Sequence, residues 1–253
     1  MFIKFLIDLG NRVISFFYFF GGLANLATQT VYLVFKPPYK WERIAEQSKK
    51  AGYDSFPIVS LVALFIGFIF ALQTAYFMQR IGSEIYIASL VALSIVRELG
   101  PVITALVVAG RVGAAITAEL GSMQVTEQID ALETLATNPI KYLVVPRFLA
   151  LIIVMPLLTL YADSIGIFGS FLICTHKLGI SSSMYMHVTF DALLYKDLFT
   201  GLFKTIFFGM IIALVSCYEG FNVEGGAEGV GRATTKSVVA SFILIIEIGR
   251  AHV

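Results

Sequence analysis

Residues 56–78 form a run of 23 amino acids without a single charge. At ~1.5 Å of helix rise per residue, such a run crosses the ~30 Å hydrocarbon core of a bilayer. Hydrocarbon offers the backbone no hydrogen-bond partner, so a lone run of this length has to satisfy its own N–H and C=O groups as a helix. The pattern then repeats. A second apolar segment begins near Ile85 and extends past Ala118, more than a bilayer needs, so its end is expected to project beyond the membrane. A third covers roughly residues 143–174 and contains Pro156; a fourth covers about 198–217, and a fifth starts near Val238. Charged residues make up 14% of the chain, against about 25% in a soluble domain. The expected fold is an all-α integral membrane protein, residues 1–253 forming a single domain whose transmembrane core spans 56–246 with about five transmembrane helices. A net charge of +1 excludes a nucleic-acid role driven by bulk charge. Cys174 and Cys217 are too few for a disulfide framework and read as packing residues.

The first 20 residues carry a polar stripe of Lys4, Asp8, Asn11, Arg12 and Ser15, with Phe2, Phe5, Leu6, Leu9, Val13 and Phe17 around the rest of the surface. This is the pattern of an amphipathic helix lying in the membrane interface. Residues 16–35 are apolar but interrupted by Gly21-Gly22 and Thr28-Gln29-Thr30, which favours an interfacial or re-entrant course for residues 1–35 over a full span. One early positive charge, Lys4, followed by Asp8 and no small-residue cleavage site, gives no sign of a removed signal peptide. Lys36, Lys40, Arg43, Lys49, Lys50, Arg111, Lys141, Arg147, Arg232 and Lys236 fall on one side of the expected topology, and Arg80, Lys177 and Lys196 on the other. Positive charge marks the cytoplasmic side, so the N-terminus and the central polar segment are expected there. The nine apolar residues 238–246 amount to ~14 Å of helix, too short to span. Residues 247–253 are accordingly expected to be a non-native tail on a truncated last span.

Between the second and third apolar segments lies a polar stretch, residues 126–137, expected to be a short amphipathic helix stopped by Asn138-Pro139. Ile129, Leu132 and Ala136 share one face, while Glu127, Asp130, Glu133 and Thr134 occupy the others. Glu127 is expected in the first turn, where it complements the helix dipole. Interfacial helices usually show Lys or Arg to the headgroups, so an acidic helix on the cytoplasmic side is expected to dock into a partner protein. Its candidate contact residues are Glu127, Gln128, Asp130, Ala131, Leu132, Glu133 and Leu135.

Four charges fall inside apolar segments: Arg97, Glu98, Asp163 and Lys204. Intramembrane charges are costly and mark a substrate path or relay by default. Arg97 and Glu98 lie near the bilayer midplane by residue count and point ~100° apart on a helix, so each needs a partner on another element. Asp163 and Lys204 fall at comparable depth and are expected to pair or to line one cavity. Pro101 clashes with the carbonyl of Arg97 and is expected to kink its span. Gly110, Ala114 and Ala118, and likewise Gly113, Thr117 and Gly121, recur every four residues and predict close helix packing. Residues 225–231 are Gly-rich but lack the GK[ST] ending of a phosphate loop, and read as a flexible connection without an ATP site. His176, His187 and His252 have no metal-ligand spacing. No catalytic residue, metal or cofactor is expected, and an intramembrane enzyme is disfavoured for want of a nucleophile–base pair. A secondary transporter or channel using the buried charges is the alternative, but it leaves the acidic helix without a purpose.

Glu98-Leu99-Gly100-Pro101, Gly110-Arg111-Val112-Gly113-Ala114-Ala115 and above all Glu119-Leu120-Gly121-Ser122-Met123-Gln124-Val125-Thr126-Glu127-Gln128-Ile129-Asp130-Ala131-Leu132 closely resemble the MlaE family, the permease subunits of MCE-type ABC transporters. Asn138-Pro139, Tyr142-Leu143-Val144-Val145-Pro146-Arg147 and the Gly-rich run also fit, and the resemblance covers nearly the whole chain from about residue 40. It implies a homodimeric permease in the inner membrane of a Gram-negative-type bacterium, with two cytoplasmic ABC ATPase subunits, an MCE-domain lipid-binding protein on the outer side and often a STAS-domain protein. The implied cargo is phospholipid or a related lipid moved between inner and outer membranes. On this resemblance the 127–135 helix is the coupling helix seated in the ATPase.

Overall fold

The computed structural model describes residues 2–38, 40–80 and 82–250, without the side chains of residues 2–9, 11–13 and 15. Every regular element among the described residues is helical. Helix α1 runs Phe2–Val34 and α2 Trp41–Ala51; a 3-10 turn, Tyr53–Ser55, leads into α3, Phe56–Arg80. A continuous helical rod then extends over Glu84–Val125. It contains α4 (Ile87–Ser94), α5 (Gly100–Val108) and α6 (Ala114–Val125), joined by π-helical turns at Ile95–Leu99 and Ala109–Gly113. The short α7 is Gln128–Thr134, and a third π turn, Ile140–Val144, opens α8, Val145–His176. Helix α9 is Ser182–Ala192, α10 Tyr195–Phe221 and α11 Gly226–Arg250. Five helical stretches are long and apolar enough to cross a membrane: Trp41–Arg80, Glu84–Val125, Ile140–His176, Tyr195–Phe221 and Gly226–Arg250.

The surface suits lipid. Leu61, Phe65, Ile69, Leu157, Phe199, Phe203 and Ile243 are exposed, a belt that a protein in water would bury. The core behind it is built largely from small residues. On α3 the buried positions are Val59, Ala63, Gly67, Ala71 and Ala75, one every four residues. They face Gly166, Gly169 and Ser170 of α8 so closely that a methyl group on Gly67 would lie 2.0 Å from the Gly166 carbonyl oxygen. Helices in lipid gain little from hydrophobicity and associate by such close approach.

The expected spacing of small residues on the second span holds for one face only. Gly113, Thr117 and Gly121 are buried against α10 and α11: a methyl on Gly113 would meet Ser216 Oγ at 2.9 Å, and one on Gly121 would meet Val223 at 2.7 Å. Thr117 Oγ1 lies 2.9 Å from Ser237 Oγ and 3.1 Å from the Ser216 carbonyl, a hydroxyl seam joining α6, α10 and α11. By contrast Gly110 is exposed and Ala114 and Ala118 only half-buried.

Several expectations are corrected. The Gly-rich run is not a loop: Gly225 and Gly226 turn the chain at φ 88° and 69°, and α11 begins at Gly226. The last span is long because it buries Gly229, Ala233, Ser237, Ser241, Ile245 and Gly249 rather than large apolar side chains. Thr234 and Thr235 return their hydroxyls to the carbonyls of Val230 and Gly231, which makes them acceptable in an apolar setting. Counting only the apolar run therefore made this helix too short. The stretch between the third and fourth apolar segments holds α9, anchored by fully buried Tyr185, whose hydroxyl lies 2.7 Å from Ser170 Oγ.

At the N-terminus, Gly21-Gly22 and Thr28-Gln29-Thr30 do not interrupt α1. Thr28 and Thr30 donate to the carbonyls of Asn25 and Leu26, and Gly22 leaves room for the Tyr218 ring, which also packs on Phe19. The stripe of Lys4, Asp8, Asn11, Arg12 and Ser15 lies outside the described side chains.

Candidate functional site

Two sets of residues stand out, one inside the membrane-crossing bundle and one at its face. Inside, the π turn Ile95–Leu99 carries Arg97 and Glu98. A π turn widens the helix and is frequent at functional sites. Here it immediately precedes Pro101, whose ring and missing N–H are incompatible with an ordinary helical turn, so the expected kink takes the form of a wide turn.

Lys204 on α10 is almost fully buried and reaches Glu98 Oε1 at 2.6 Å, with the Arg97 carbonyl at 3.5 Å. Gly201, one turn earlier, permits this: a methyl there would lie 2.3 Å from the Val96 carbonyl. Arg97 leans the other way, to Asp197 Oδ1 at 3.6 Å. Asp197 sits in the first turn of α10, where its Oδ2 accepts the Leu194 backbone N–H at 3.3 Å. Arg97 thus extends its side chain toward the end at which α10 starts, not toward the midplane. As expected, Arg97 and Glu98 do not pair with each other. Asp197 escapes the sequence reading because the fourth apolar segment, at about 198–217, starts after it, whereas α10 starts at Tyr195. An acid three residues after Leu194 is a helix-start signal that would have placed it.

The expected Asp163–Lys204 pair is not formed, because Lys204 is taken by Glu98. Asp163 is buried and neither of its oxygens has a hydrogen-bond partner among the described residues. It packs over Gly100, where a methyl would lie 1.7 Å from Oδ1. Burying an unpartnered carboxyl in such a setting is costly. Asp163→Asn, which keeps the side-chain shape with a group that cannot ionise, is therefore expected to leave thermal stability unchanged or to raise it by ~1–3 kcal/mol, read from the unfolding midpoint in detergent.

At the face, the rod ends at Val125 and α7 is mounted across it. The helix is shorter than the sequence implied. Glu127 stands just outside it at φ 58°, so the acid in its first turn is Asp130. It stops before Asn138-Pro139: the Ala136 N–H bonds to the Glu133 carbonyl and the Thr137 N–H to that of Leu132, with Ala136 at φ 54°. That is a Schellman ending, here with alanine where glycine is usual. Pro139 starts the next helical stretch instead of stopping this one. Ile129 is buried and Leu132 half-buried, both packed into the main core. Glu127, Gln128, Asp130, Ala131, Glu133 and Leu135 are all exposed, Leu135 to 75%. The three acids form no ion pair among the described residues.

The seat below α7 is cross-braced. Buried Arg147 holds Glu119 at 2.9 Å and the Leu143 carbonyl at 2.7 Å, tying α8 to α6. Arg111, on the second π turn, donates to Ser55 Oγ at 3.1 Å and to the Lys50 carbonyl at 2.6 Å. Lys236 on α11 pairs with buried Glu219 on α10 at 2.9 Å. The described residues contain no cluster of His, Cys, Asp and Glu able to hold a metal.

A helical bundle with five membrane-length helices, paired charges within it and a fixed acidic helix at one face defines a multi-pass membrane permease. The chain belongs to the MlaE permease family, whose model, described as Permease MlaE, matches residues 44–249. A probable ABC transporter permease protein of Rickettsia felis is 45% identical over 239 residues, covering 94% of this chain and 92% of that protein. The intermembrane phospholipid transport system permease protein MlaE of Haemophilus influenzae is 34% identical over 249 residues, 97% of this chain and 95% of that one. The chloroplastic protein TRIGALACTOSYLDIACYLGLYCEROL 1 of Arabidopsis thaliana is 38% identical over 228 residues, 89% of this chain and 65% of that protein.

Proposed function

We propose that this chain is the permease subunit of an ABC transporter that moves phospholipid or a related lipid between inner and outer membranes. The observation that carries the reading is α7: an unpaired acidic surface ending in exposed Leu135, fixed to the bundle by Ile129 and Leu132. The names of the Rickettsia and Haemophilus relatives point the same way. The chain holds no ATP site of its own in this reading. Two copies form a homodimer in the inner membrane, N-termini in the cytoplasm, each receiving an ATPase at α7. An MCE-domain lipid-binding protein stands on the outer side, and a STAS-domain protein joins the assembly. Glu127, Gln128, Asp130, Ala131, Glu133 and Leu135 touch the ATPase. Its movement passes from α7 into the rod, whose π turns are the points at which a helix re-registers with least loss of hydrogen bonds. Arg97 and Glu98, on one of those turns, then meet the lipid headgroup along the path that Lys204 lines.

The test is affinity purification of the full-length protein in mild detergent. Co-purification of an ATPase that is lost in the Glu127→Lys/Asp130→Lys variant, with the permease itself still recovered in the membrane, is the expected result. Equal recovery of the ATPase with the variant, or recovery of none with the unaltered chain, overturns the reading.

A further inference from the structure

Beside α7 lies a second feature that coupling does not use. A cleft opens between the end of α1, the start of α2 and the π turn before α8. Its floor and walls are apolar: Leu33, Ile44, Val145 and Pro146. Its rim carries Lys36, Lys40 and Lys141, and among the described residues no carboxylate lines it; Glu42 lines the adjoining hollow. None of the three lysines forms an ion pair among the described residues.

The lysines are held in place by contacts that leave their charge uncompensated. Lys36 Nζ lies 4.2 Å from the centre of the Tyr32 ring, and Lys40 Nζ 4.5 Å from that of Tyr142. Arg43 also lies over Tyr142, at 3.6 Å, and donates to its hydroxyl. Lys141 Nζ donates to the Pro37 carbonyl at 3.2 Å. Like charges brought together on a rim without acids repel one another, and an anion relieves that. The apolar floor adds a second requirement, since a small hydrated anion gains nothing from Leu33 or Ile44. The cleft also lies beside exposed Val31 and Tyr32 of α1 and Phe35 just after it, on the face that the orientation proposed above sets among the cytoplasmic headgroups. A ligand with a phosphate and a hydrocarbon tail meets all three conditions, and basic pockets between helices on the cytoplasmic side are suited to acidic lipid headgroups.

We propose that this cleft binds an anionic phospholipid of the cytoplasmic leaflet, its phosphate among Lys36, Lys40 and Lys141 and an acyl chain along Leu33. The site is separate from the path of Arg97 and Glu98. Because Ala136, Thr137 and Asn138 form one wall, the bound lipid braces the connection between α7 and α8. The choice of leaflet rests on the orientation proposed above; the binding test does not depend on ATPase or transport.

Delipidated full-length protein in detergent is titrated with dioleoylphosphatidylglycerol and bound lipid is read by native mass spectrometry. Saturable binding is expected, weakened on the order of 100-fold by Lys36→Gln/Lys40→Gln/Lys141→Gln. The variant Lys49→Gln/Arg80→Gln/Lys177→Gln, which removes the same charge elsewhere, retains binding, and so does Lys-to-Arg replacement at the three cleft positions. A photoreactive phosphatidylglycerol on the unaltered protein cross-links to peptides containing residues 33–44 and 136–146, which keeps the proposal testable even where a variant fails to fold. Equal weakening in both triple-Gln variants overturns the proposal, as does equal cross-linking of these peptides by a photoreactive phosphatidylcholine, or no cross-linking of them by the photoreactive phosphatidylglycerol. Displacement of the lipid by millimolar inorganic phosphate overturns the lipid as the ligand.

Discussion

Gly67→Ala is expected to be among the most damaging single-methyl additions to this chain. The new Cβ would stand 2.0 Å from the Gly166 carbonyl oxygen and 3.1 Å from the Ser170 backbone nitrogen. Both obstacles are main chain, so no rotamer change makes room, and α3 must move away from α8. Overpacking ordinarily costs ~1–3 kcal/mol. With backbone on both sides, about 3 kcal/mol or more is expected, a fall of ~6–12 °C in unfolding midpoint for a chain of this size. Gly231→Ala is the control. It lies within α11 with nothing within 4 Å of an added Cβ, so the substitution is expected to be neutral or to add ~0.5–1 kcal/mol by lowering backbone entropy. Equal midpoints for the two variants in the same detergent would show that α3 and α8 do not approach as closely as the Gly67–Gly166 contact requires.

This α3–α8 contact shows what the sequence made legible. Long apolar runs announced the spans, because length and absence of charge are all that a bilayer demands. The small-residue period was visible too, but Val59, Ala63, Gly67, Ala71 and Ala75 are scattered through one uninterrupted apolar run. The same period stands bare in Gly110 to Gly121, yet one of the two faces there is half-open. The last helix was undercounted for a related reason: a stripe of Gly, Ala and Ser is invisible to a scale that rewards large apolar side chains. The wide turns at Ile95–Leu99, Ala109–Gly113 and Ile140–Val144 had no sequence signal beyond Pro101 and Pro139. A π turn depends on how neighbouring helices pull the chain, not on local propensity. Around α7 the acidic face was readable, whereas the left-handed Glu127 and Ala136 were not, since neither residue type favours that conformation. The choice between Asp163 and Glu98 as partner of Lys204 could not be made from depth alone, because depth says nothing of which faces of α10 and the rod meet.

The Glu98–Lys204 pair should respond asymmetrically to removal of its two halves. Lys204 is only 2% exposed, while Glu98 is 40% exposed. Glu98→Gln leaves an ammonium buried with the Arg97 carbonyl at 3.5 Å as its remaining described acceptor besides the new amide. Breaking a buried pair from one side costs ~3–5 kcal/mol; the amide oxygen still accepts a hydrogen bond, so about 3 kcal/mol is expected, or ~6–12 °C in unfolding midpoint. Lys204→Met removes the buried charge itself and fills similar volume. It leaves a carboxylate that the bundle encloses only in part, and about 1 kcal/mol is expected. The double variant Glu98→Gln/Lys204→Met carries no buried charge, and replacing a buried pair by apolar groups is often neutral or better. It is therefore expected within ~1 kcal/mol of the unaltered protein, which makes the two losses non-additive by about 3 kcal/mol. Additive losses, or a greater cost for Lys204→Met than for Glu98→Gln, would show that the pair is not what keeps Lys204 in the bundle. The same double variant separates structure from transport. If Arg97 and Glu98 meet lipid headgroups along the proposed path, it folds and still recruits the ATPase through α7, yet lipid movement in a reconstituted assembly is lost.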